Sequence, residues 1–229
     1  MGVVLLAACT ALVVRTVSGS SAPTSPHVAS LAADGHSGAT LRVITGTPTL
    51  TIGVADLGVT GTLLRVSTPA ASPAPQLRAS GGAGNPVVSL SAAHASAITV
   101  TLNAAVSWQL DLAAGTSRTV ADLIGGRVAG IAITKGSDVI DLSLPRPDGS
   151  VTVRLAAGAS RLQLSLPGGV PARVNAAAGA GEISLDGKDH VGVAAGSVLT
   201  TAAWAAGAAG YDVEATAGAA RITVTTQAA

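Results

Sequence analysis

The chain has 229 residues, of which 48% are hydrophobic and 11% are charged, and its formal net charge is +1. This length suits a single domain, and so small a net charge excludes a global field that would steer the protein to nucleic acid. Two Trp, one Tyr and no Phe leave few side chains that could stack on bases or sugars. One cysteine excludes an intramolecular disulfide and a cysteine metal cluster.

The N-terminus is largely apolar from Gly2 to Val14. Within it, the stretch LAAC ending at Cys9 is similar to a bacterial lipobox, in which the cysteine is lipidated after cleavage. The run is shorter than the about 20 apolar residues of a spanning helix, and no Lys or Arg precedes it. We expect residues 1–17 to be a signal peptide or membrane anchor, with Cys9 as a candidate lipidation site. A buried first element of the fold is the alternative.

The next segment contains SGSSAPTSPH, from Ser18 to His27, which is typical of a flexible linker. We predict a linker over residues 18–37 and a single β-repeat domain over residues 38–229. Within that domain, residues 69–84 read PAASPAPQLRASGGAG, a composition that predicts a low-complexity loop.

A repeat of alternating runs broken by glycine occupies most of the domain. In Val153–Pro167 the apolar positions are odd-numbered before the glycine and even-numbered after it. An apolar residue five positions before a glycine, and others four and six positions after it, recur at Gly46, Gly115, Gly136, Gly158, Gly179 and Gly218, with Gly115 the weakest match. The intervals from Gly115 to Gly179 are 21, 22 and 21 residues. The last interval, 39 residues, is nearly two periods, so HVGVAAGSVLTTAAW (residues 190–204) is expected to hold a degenerate unit.

Alternation with a period of two places one set of side chains on one face of a strand. A change of phase would send the second set to the opposite face unless the chain turns or bulges, and glycine tolerates the backbone angles of such a corner. Each repeat is therefore predicted to be a strand, a glycine corner, a second strand and a closing turn. The sequence predicts an all-β fold, a β-solenoid or β-helix-like stack with a repeat of ~21 residues. A β-sandwich built from hairpins is the alternative.

Candidate chemistry is sparse. His27, His36 and His94 lie in linker-like sequence, and His190 lies near Asp186 and Asp189 in a turn. Paired carboxylates occur as Asp138 with Asp141, but two such residues define no catalytic dyad without a pocket. Trp108 and Trp204 are expected to fill gaps or seal ends. We predict no catalytic, cofactor or metal site.

The phrases VRLAAGASRLQLSLPGGVPARV, NAAAGAGEISLDG and VEATAGAARITVTT resemble the DUF4097-type putative adhesin domains of bacterial cell-envelope proteins. The resemblance covers Gly38–Thr226. It implies an all-β, repetitive, extracytoplasmic domain that follows an N-terminal membrane segment, with no catalytic residues to carry over. The weakly charged, alanine-rich strands fit an actinobacterial version.

Together these features predict a non-enzymatic scaffold of the bacterial cell envelope, membrane-anchored or secreted. Its surface would contact a protein, a wall polymer or another copy of itself, and not nucleic acid. The two ends of the stack, namely the N-terminal unit after the linker and the Thr-rich end RITVTTQ (Arg221–Gln227), are expected to be open edges for self-association unless they are capped. The alternative is a sensory or regulatory partner in envelope stress, which would need a pocket with converging polar groups. A polysaccharide-acting enzyme is less favoured because carboxylate clusters and aromatic platforms are lacking.

Overall fold

This computed structural model describes residues 25–81 and 84–227, which form nineteen β-strands and no helix. In those ranges, therefore, no helix is long and apolar enough to cross a membrane. The strands are β1 (His27–Ala32), β2 (Gly38–Val43), β3 (Thr47–Ala55), β4 (Thr62–Thr68), β5 (Gln76–Ser80), β6 (Val87–Ser91), β7 (Ala97–Asn103), β8 (Ser107–Leu112), β9 (Thr116–Asp122), β10 (Arg127–Ile133), β11 (Ser137–Ser143), β12 (Ser150–Leu155), β13 (Ala159–Leu166), β14 (Ala172–Ala176), β15 (Ala180–Leu185), β16 (Lys188–Val193), β17 (Ser197–Thr200), β18 (Gly210–Ala215) and β19 (Ala219–Thr226).

The strands form two mixed sheets. Sheet A has the order β1-β4-β7-β3-β9-β11-β13-β19-β15-β16, and sheet B has the order β17-β14-β18-β12-β10-β8-β2-β6-β5. A strand of sheet B, a short corner and the next strand of sheet A make one rung. Seven rungs stack with parallel strands, in the order β6–β7, β2–β3, β8–β9, β10–β11, β12–β13, β18–β19 and β14–β15. The predicted stack of repeated β units is thus confirmed.

Side chains that point between the sheets form one continuous core. Val153 and Leu155 of β12 are fully buried and alternate with exposed residues. Because the rungs stack in register, like side chains lie above like: Leu162 of β13 pairs with Ile140 on one side and Ile222 on the other. Each such burial stabilises the fold by about 1.5–3 kcal/mol.

The change of phase within a repeat lies just after the glycine. In the rung of Gly158, Ala159 is still buried, Ser160 and Arg161 are both exposed, and burial resumes at Leu162. Two consecutive outward side chains shift the alternation by one residue, which keeps both apolar sets facing the core. The corner and the change of phase are therefore separate features of the chain.

The C-terminal end of the stack departs from the chain order. Strands β16 and β17 run antiparallel to β15 and β14, so residues 190–204 supply a reversed rung, not a further parallel one. The chain then returns and inserts β18–β19 between two rungs that were made earlier. The expectation of an open edge at Arg221–Gln227 is wrong, because β19 is hydrogen-bonded to β13 on one side and β15 on the other.

The N-terminal end has the mirrored arrangement. The β2–β3 rung lies inside the later β6–β7 rung, on which β4 and β5 pack antiparallel. Two strands occupy segments that the sequence assigns elsewhere: β1 lies in the predicted linker over 18–37, and β5 lies in the predicted loop over 69–84. The runs HVASLA and QLRAS are short and lie in sequence that otherwise resembles a linker or loop, and they form strands by pairing with β4 and β6.

Candidate interaction surfaces

Five of the six glycines singled out in the repeat form one column through the corners of adjacent rungs. A Cβ atom built on Gly46 would lie 2.8 Å from the carbonyl oxygen of Gly115, and one on Gly115 would lie 3.1 Å from that of Gly136. A Cβ built on Gly136 would lie 3.5 Å from the carbonyl oxygen of Gly158, and one on Gly158 would lie 3.6 Å from that of Gly218. Each glycine therefore lies against the backbone of the next rung, and the approach is closest toward the N-terminal end.

None of these five glycines has a positive φ, so a corner with angles that only glycine tolerates is not the reason for them. The sequence-based explanation is wrong there. At Gly46 the neighbouring rung leaves no room for a side chain without a shift of the backbone, and at Gly115 the contact would be tight, whereas the other three have ordinary contact distances or open space. Gly179 is the exception, because its φ is +80° and a Cβ would lie 2.9 Å from the carbonyl oxygen of Val193.

The histidines lie apart from one another in the fold. His27 is in β1, with Nε2 3.2 Å from the carbonyl oxygen of Ala70. His94 adopts a φ of 61° in the corner between β6 and β7, His36 lies between β1 and β2, and His190 is in the edge strand β16. No group of three or more His, Cys, Asp or Glu side chains is arranged to hold a metal ion in the described ranges. Cys9 and residues 1–17 lie outside those ranges.

The paired carboxylates have separate roles. Asp141 accepts a hydrogen bond from Arg118 of the neighbouring strand at 2.5 Å, while Asp138 is exposed at the start of β11. Asp186 is in the turn before β16, where its Oδ1 accepts hydrogen bonds from the backbone N–H and the hydroxyl of Thr226, each at 2.8 Å. The arrangement ties strands together and offers no acid–base pair.

The two tryptophans differ in burial. Trp108 is 1% exposed in the core, and its indole N–H donates to the carbonyl oxygen of Asn103 at 3.0 Å. Trp204 is half-buried in the loop between β17 and β18, with the guanidinium of Arg173 5.3 Å from its ring centroid. Arg173 is also paired with Asp212, whose hydrogen bond and charge raise the pKa of that guanidinium.

Ion pairs between adjacent strands mark the outward faces of both sheets. They are Arg42–Asp111 and Arg173–Asp212 on sheet B, and Arg118–Asp141 and Arg221–Glu182 on sheet A. The arginine side chains are 39–57% exposed, so each pair contributes only about 0–1 kcal/mol. These ion pairs place both signs of charge on the outward faces of the two sheets.

Two surface cavities were not predicted from the sequence. One, of about 310 Å³, lies on the outer face of sheet A between Arg161 and the Arg221–Glu182 pair. The other, of about 230 Å³, lies where β8, β10 and β12 begin, beneath the connection over residues 144–149. That connection reads LPRPDG, and its two prolines indicate only a turn at the sequence level.

Comparison with known proteins finds a structural likeness without a sequence likeness. No family model matches the chain, and no curated protein matches it. A crystal structure described as a putative cell adhesion protein from Clostridium sporogenes is similar, with a TM-score of 0.68 at 14% sequence identity. The match covers 89% of this chain and 99% of that one. At this identity the likeness establishes a shared fold.

Proposed function

We propose that this chain is a non-enzymatic, extracytoplasmic scaffold of the bacterial cell envelope, adhesin-like and of the DUF4097 type. It presents the outer faces of its two sheets to a protein, a wall polymer or another copy of itself. The observation that carries the proposal is the shared fold with a protein described as a putative cell adhesion protein, which extends over nearly the whole of both chains.

The distribution of side chains supports a surface role. The space between the sheets is filled by the side chains of a single core, and in the described ranges no buried side-chain polar atom lacks a hydrogen-bond partner. The polar side chains that could contact a partner lie on the outer faces, in the corners and in the connections. A rigid stack of this kind holds those groups in fixed positions, which lowers the entropy lost on binding.

The N-terminal segment supports placement outside the cytoplasm. Residues 1–17 combine an apolar run with the lipobox-like LAAC sequence, and the repeat domain follows. We propose that this segment exports or anchors the chain, either as a signal peptide, as an uncleaved membrane segment, or through a lipid on Cys9.

The direct test is to fractionate the native bacterium and to determine the N-terminus of the protein by mass spectrometry. A diacylglyceryl group on Cys9, or an intact apolar segment in the membrane fraction, supports the envelope scaffold and identifies the anchor. A Cys9→Ala variant separates these outcomes, because it releases only a lipidated form from the membrane. Unmodified Met1 in the soluble cytoplasmic fraction contradicts the proposal.

Self-association, where it occurs, is expected at the free sheet edges, which are β1 and β16 in sheet A and β5 and β17 in sheet B. Val191 on β16 is 81% exposed, and an exposed apolar edge favours pairing with another chain. Val191→Lys should shift sedimentation toward monomer, with Ile124→Lys, at an exposed apolar residue between β9 and β10, as the control away from the sheet edges. A monomeric native chain at all concentrations excludes this mode.

A second candidate function, an envelope sensor that binds a membrane protein or a small ligand, is favoured by one observation. The smaller cavity has several polar and charged side chains in its walls, as such a sensor would need. Ligand-dependent capture of a membrane protein by the purified chain supports the sensor, and ligand-independent binding to cell walls supports the scaffold.

A further inference from the structure

The connection over residues 144–149 is longer than its neighbours. The equivalent crossings from sheet A to sheet B take three, four and five residues, namely 104–106, 123–126 and 167–171, against six here. Its Pro145 and Pro147 restrict the backbone and prevent it from adding to a sheet. It lies over the first residues of β8, β10 and β12, and the cavity of about 230 Å³ lies beneath it.

This connection is held at several points. The carbonyl oxygen of Pro145 accepts a hydrogen bond from the Tyr211 hydroxyl at 2.9 Å, and that of Gly149 accepts one from the N–H of Gly210 at 3.1 Å. The Arg146 guanidinium donates to the carbonyl oxygen of Gly168 at 2.9 Å. The cavity walls are therefore ordered before any ligand arrives, which reduces the entropy cost of binding.

The opposite wall is formed by the irregular start of β10. The pairing of β10 with β8 shifts register between Val128 and Gly130, so Ala129 is an extra residue there. A bulge bends its strand and redirects side chains, and bulges recur beside functional sites. Arg127 lies just before this bulge and lines the cavity.

The cavity carries opposite charges that are not paired with each other. Arg127 and Asp148 make no salt bridge and no side-chain hydrogen bond within residues 25–81 and 84–227, and Arg146 bonds only a carbonyl oxygen. The net charge of the lining is +1, with Ser107 and Ser150 adding two hydroxyls. A guanidinium presents up to five donors in a planar fork that matches phosphate and carboxylate oxygens. The lining thus complements a group with one negative charge.

We propose that this cleft binds one anionic, hydroxyl-bearing unit of a surface polymer. Its phosphodiester or carboxylate contacts Arg127 and Arg146, and one of its hydroxyls donates to Asp148. The cavity is smaller than the roughly 300–1,000 Å³ that drug-sized ligands occupy, so it suits one unit of a chain. The inference rests on the proposed envelope scaffold and names the chemistry of its partner.

The test is isothermal titration of the full chain, in mild detergent, with three oligomers. Poly(glycerol phosphate) supplies phosphodiesters, oligogalacturonate supplies carboxylates, and dextran is neutral. We expect at least one charged oligomer to bind, dextran not to bind, and added salt to weaken the binding. Binding of poly(glycerol phosphate) alone identifies a phosphodiester ligand, and binding of oligogalacturonate alone identifies a carboxylate ligand.

Exposed side chains allow substitutions that leave the core untouched. Arg127→Gln and Arg146→Gln should each weaken binding by about tenfold, as expected for the loss of a charge-assisted hydrogen bond. Asp148→Asn keeps an oxygen that can accept from the ligand hydroxyl and removes the negative charge that repels the ligand's anionic group, so it should tighten binding. Arg78→Gln makes the same change of charge in the exposed part of β5 and should leave binding unchanged.

Three results overturn the inference: no charged oligomer binds, dextran binds as well as they do, or Arg78→Gln weakens binding as much as Arg127→Gln. Each of these leaves the scaffold proposal standing when the native protein is found at the cell surface. Unmodified cytoplasmic protein removes the scaffold itself, so the two failures are distinguishable.

Discussion

The two ends of the stack share a topology and differ in how they are sealed. At each end two rungs stack out of chain order and antiparallel strands are added. At the N-terminal end the inner β2–β3 rung precedes the outer β6–β7 rung in the chain, and at the C-terminal end the outer β14–β15 rung precedes the inner β18–β19 rung. The N-terminal cap (β1, β4 and β5) buries four large apolar side chains, namely Leu63, Leu64, Val66 and Leu77. The C-terminal cap (β16 and β17) buries none, and its Val191 and Val198 are 81% and 53% exposed.

The C-terminal cap packs the partly buried Val193 and Leu199 against the core and is otherwise attached through polar contacts. The N–H of Gly196 donates to the carbonyl oxygen of Ala176 at 2.8 Å, and the Thr201 hydroxyl accepts from the N–H of Ala172 at 3.0 Å. Local stability follows buried apolar contacts more than exposed hydrogen bonds. The same fold pattern therefore gives a firmly packed N-terminal end and a looser C-terminal end.

The largest expected effect comes from truncating a side chain in the N-terminal cap. Leu64→Ala should lower the free energy of unfolding by about 2–5 kcal/mol, because Leu64 is fully buried and the space it leaves cannot close. Val198→Ala in the C-terminal cap should change it by less than about 0.5 kcal/mol. Urea denaturation followed by circular dichroism measures both. Equal losses of free energy would show that the N-terminal cap is not packed more firmly than the C-terminal cap.

The glycine column predicts the next effect. Gly46→Ala places a methyl group 2.8 Å from the backbone oxygen of Gly115 and should cost about 1–3 kcal/mol of stability. Gly218→Ala meets no atom within 4 Å, so it should leave stability unchanged or raise it by up to about 1 kcal/mol. The measurement is thermal unfolding of the two variants, which carry the same substitution in equivalent corners of two rungs. If Gly218→Ala lowered the stability as much as Gly46→Ala, the close approach at Gly46 would not be the cause of its effect.

The single tyrosine reports on the rung inserted at the C-terminal end. Burial raises the pKa of Tyr211 above its ordinary value, so the neutral phenol is favoured in the folded state. Its contribution to stability is complete below about pH 10, the ordinary pKa of tyrosine, and is lost as the pH rises further.

Alkaline titration by tyrosinate absorbance, with circular dichroism alongside, tests this expectation. We expect the two signals to change together, and Tyr211→Phe to remove the alkaline loss while giving up the hydrogen bond to Pro145. Tyrosinate that forms while the strands remain intact would show that the looser region extends beyond β16 and β17.

The smallest effects are expected from the ion pairs. Asp111→Asn near the N-terminal end and Glu182→Gln near the C-terminal end should each cost less than about 1 kcal/mol, because their arginine partners are half-exposed. Added salt should reduce both losses. Unfolding at two salt concentrations measures them, and a larger loss at one end would assign a structural role to that pair.

Alternation and spacing predicted much of the fold. They indicated two strands per repeat and the corners at Gly136, Gly158 and Gly179, because periods of 2 and ~21 residues follow from local geometry. They explained glycine by the backbone angles of the corner, which holds at Gly179 and not at Gly46 or Gly115, where the neighbouring rung approaches closely. That approach depends on which rung lies above which, and the inserted β18–β19 rung alters the order without a mark in the sequence.

The cap strands and the cleft could not be predicted from the sequence, for a related reason. Strands β1 and β5 carry weak patterns of their own and become strands through their partners. Arg127 and Arg146 are 19 positions apart and are brought to one cavity by the stacking of β10 and β12. The connection over residues 144–149, with two prolines and one residue more than the next longest equivalent crossing, was the available signal.

The inserted rung also determines when the stack of rungs is completed during synthesis. A chain synthesised from its N-terminus makes β14–β15 before the rung that joins it to β12–β13 exists. A product that stops before residue 210 is therefore an unfinished stack, with the edges of β13 and β15 unpaired. Such edges are sites of aggregation and proteolysis. The threading thus leaves inner strand edges unpaired until residues 210–226 have been made.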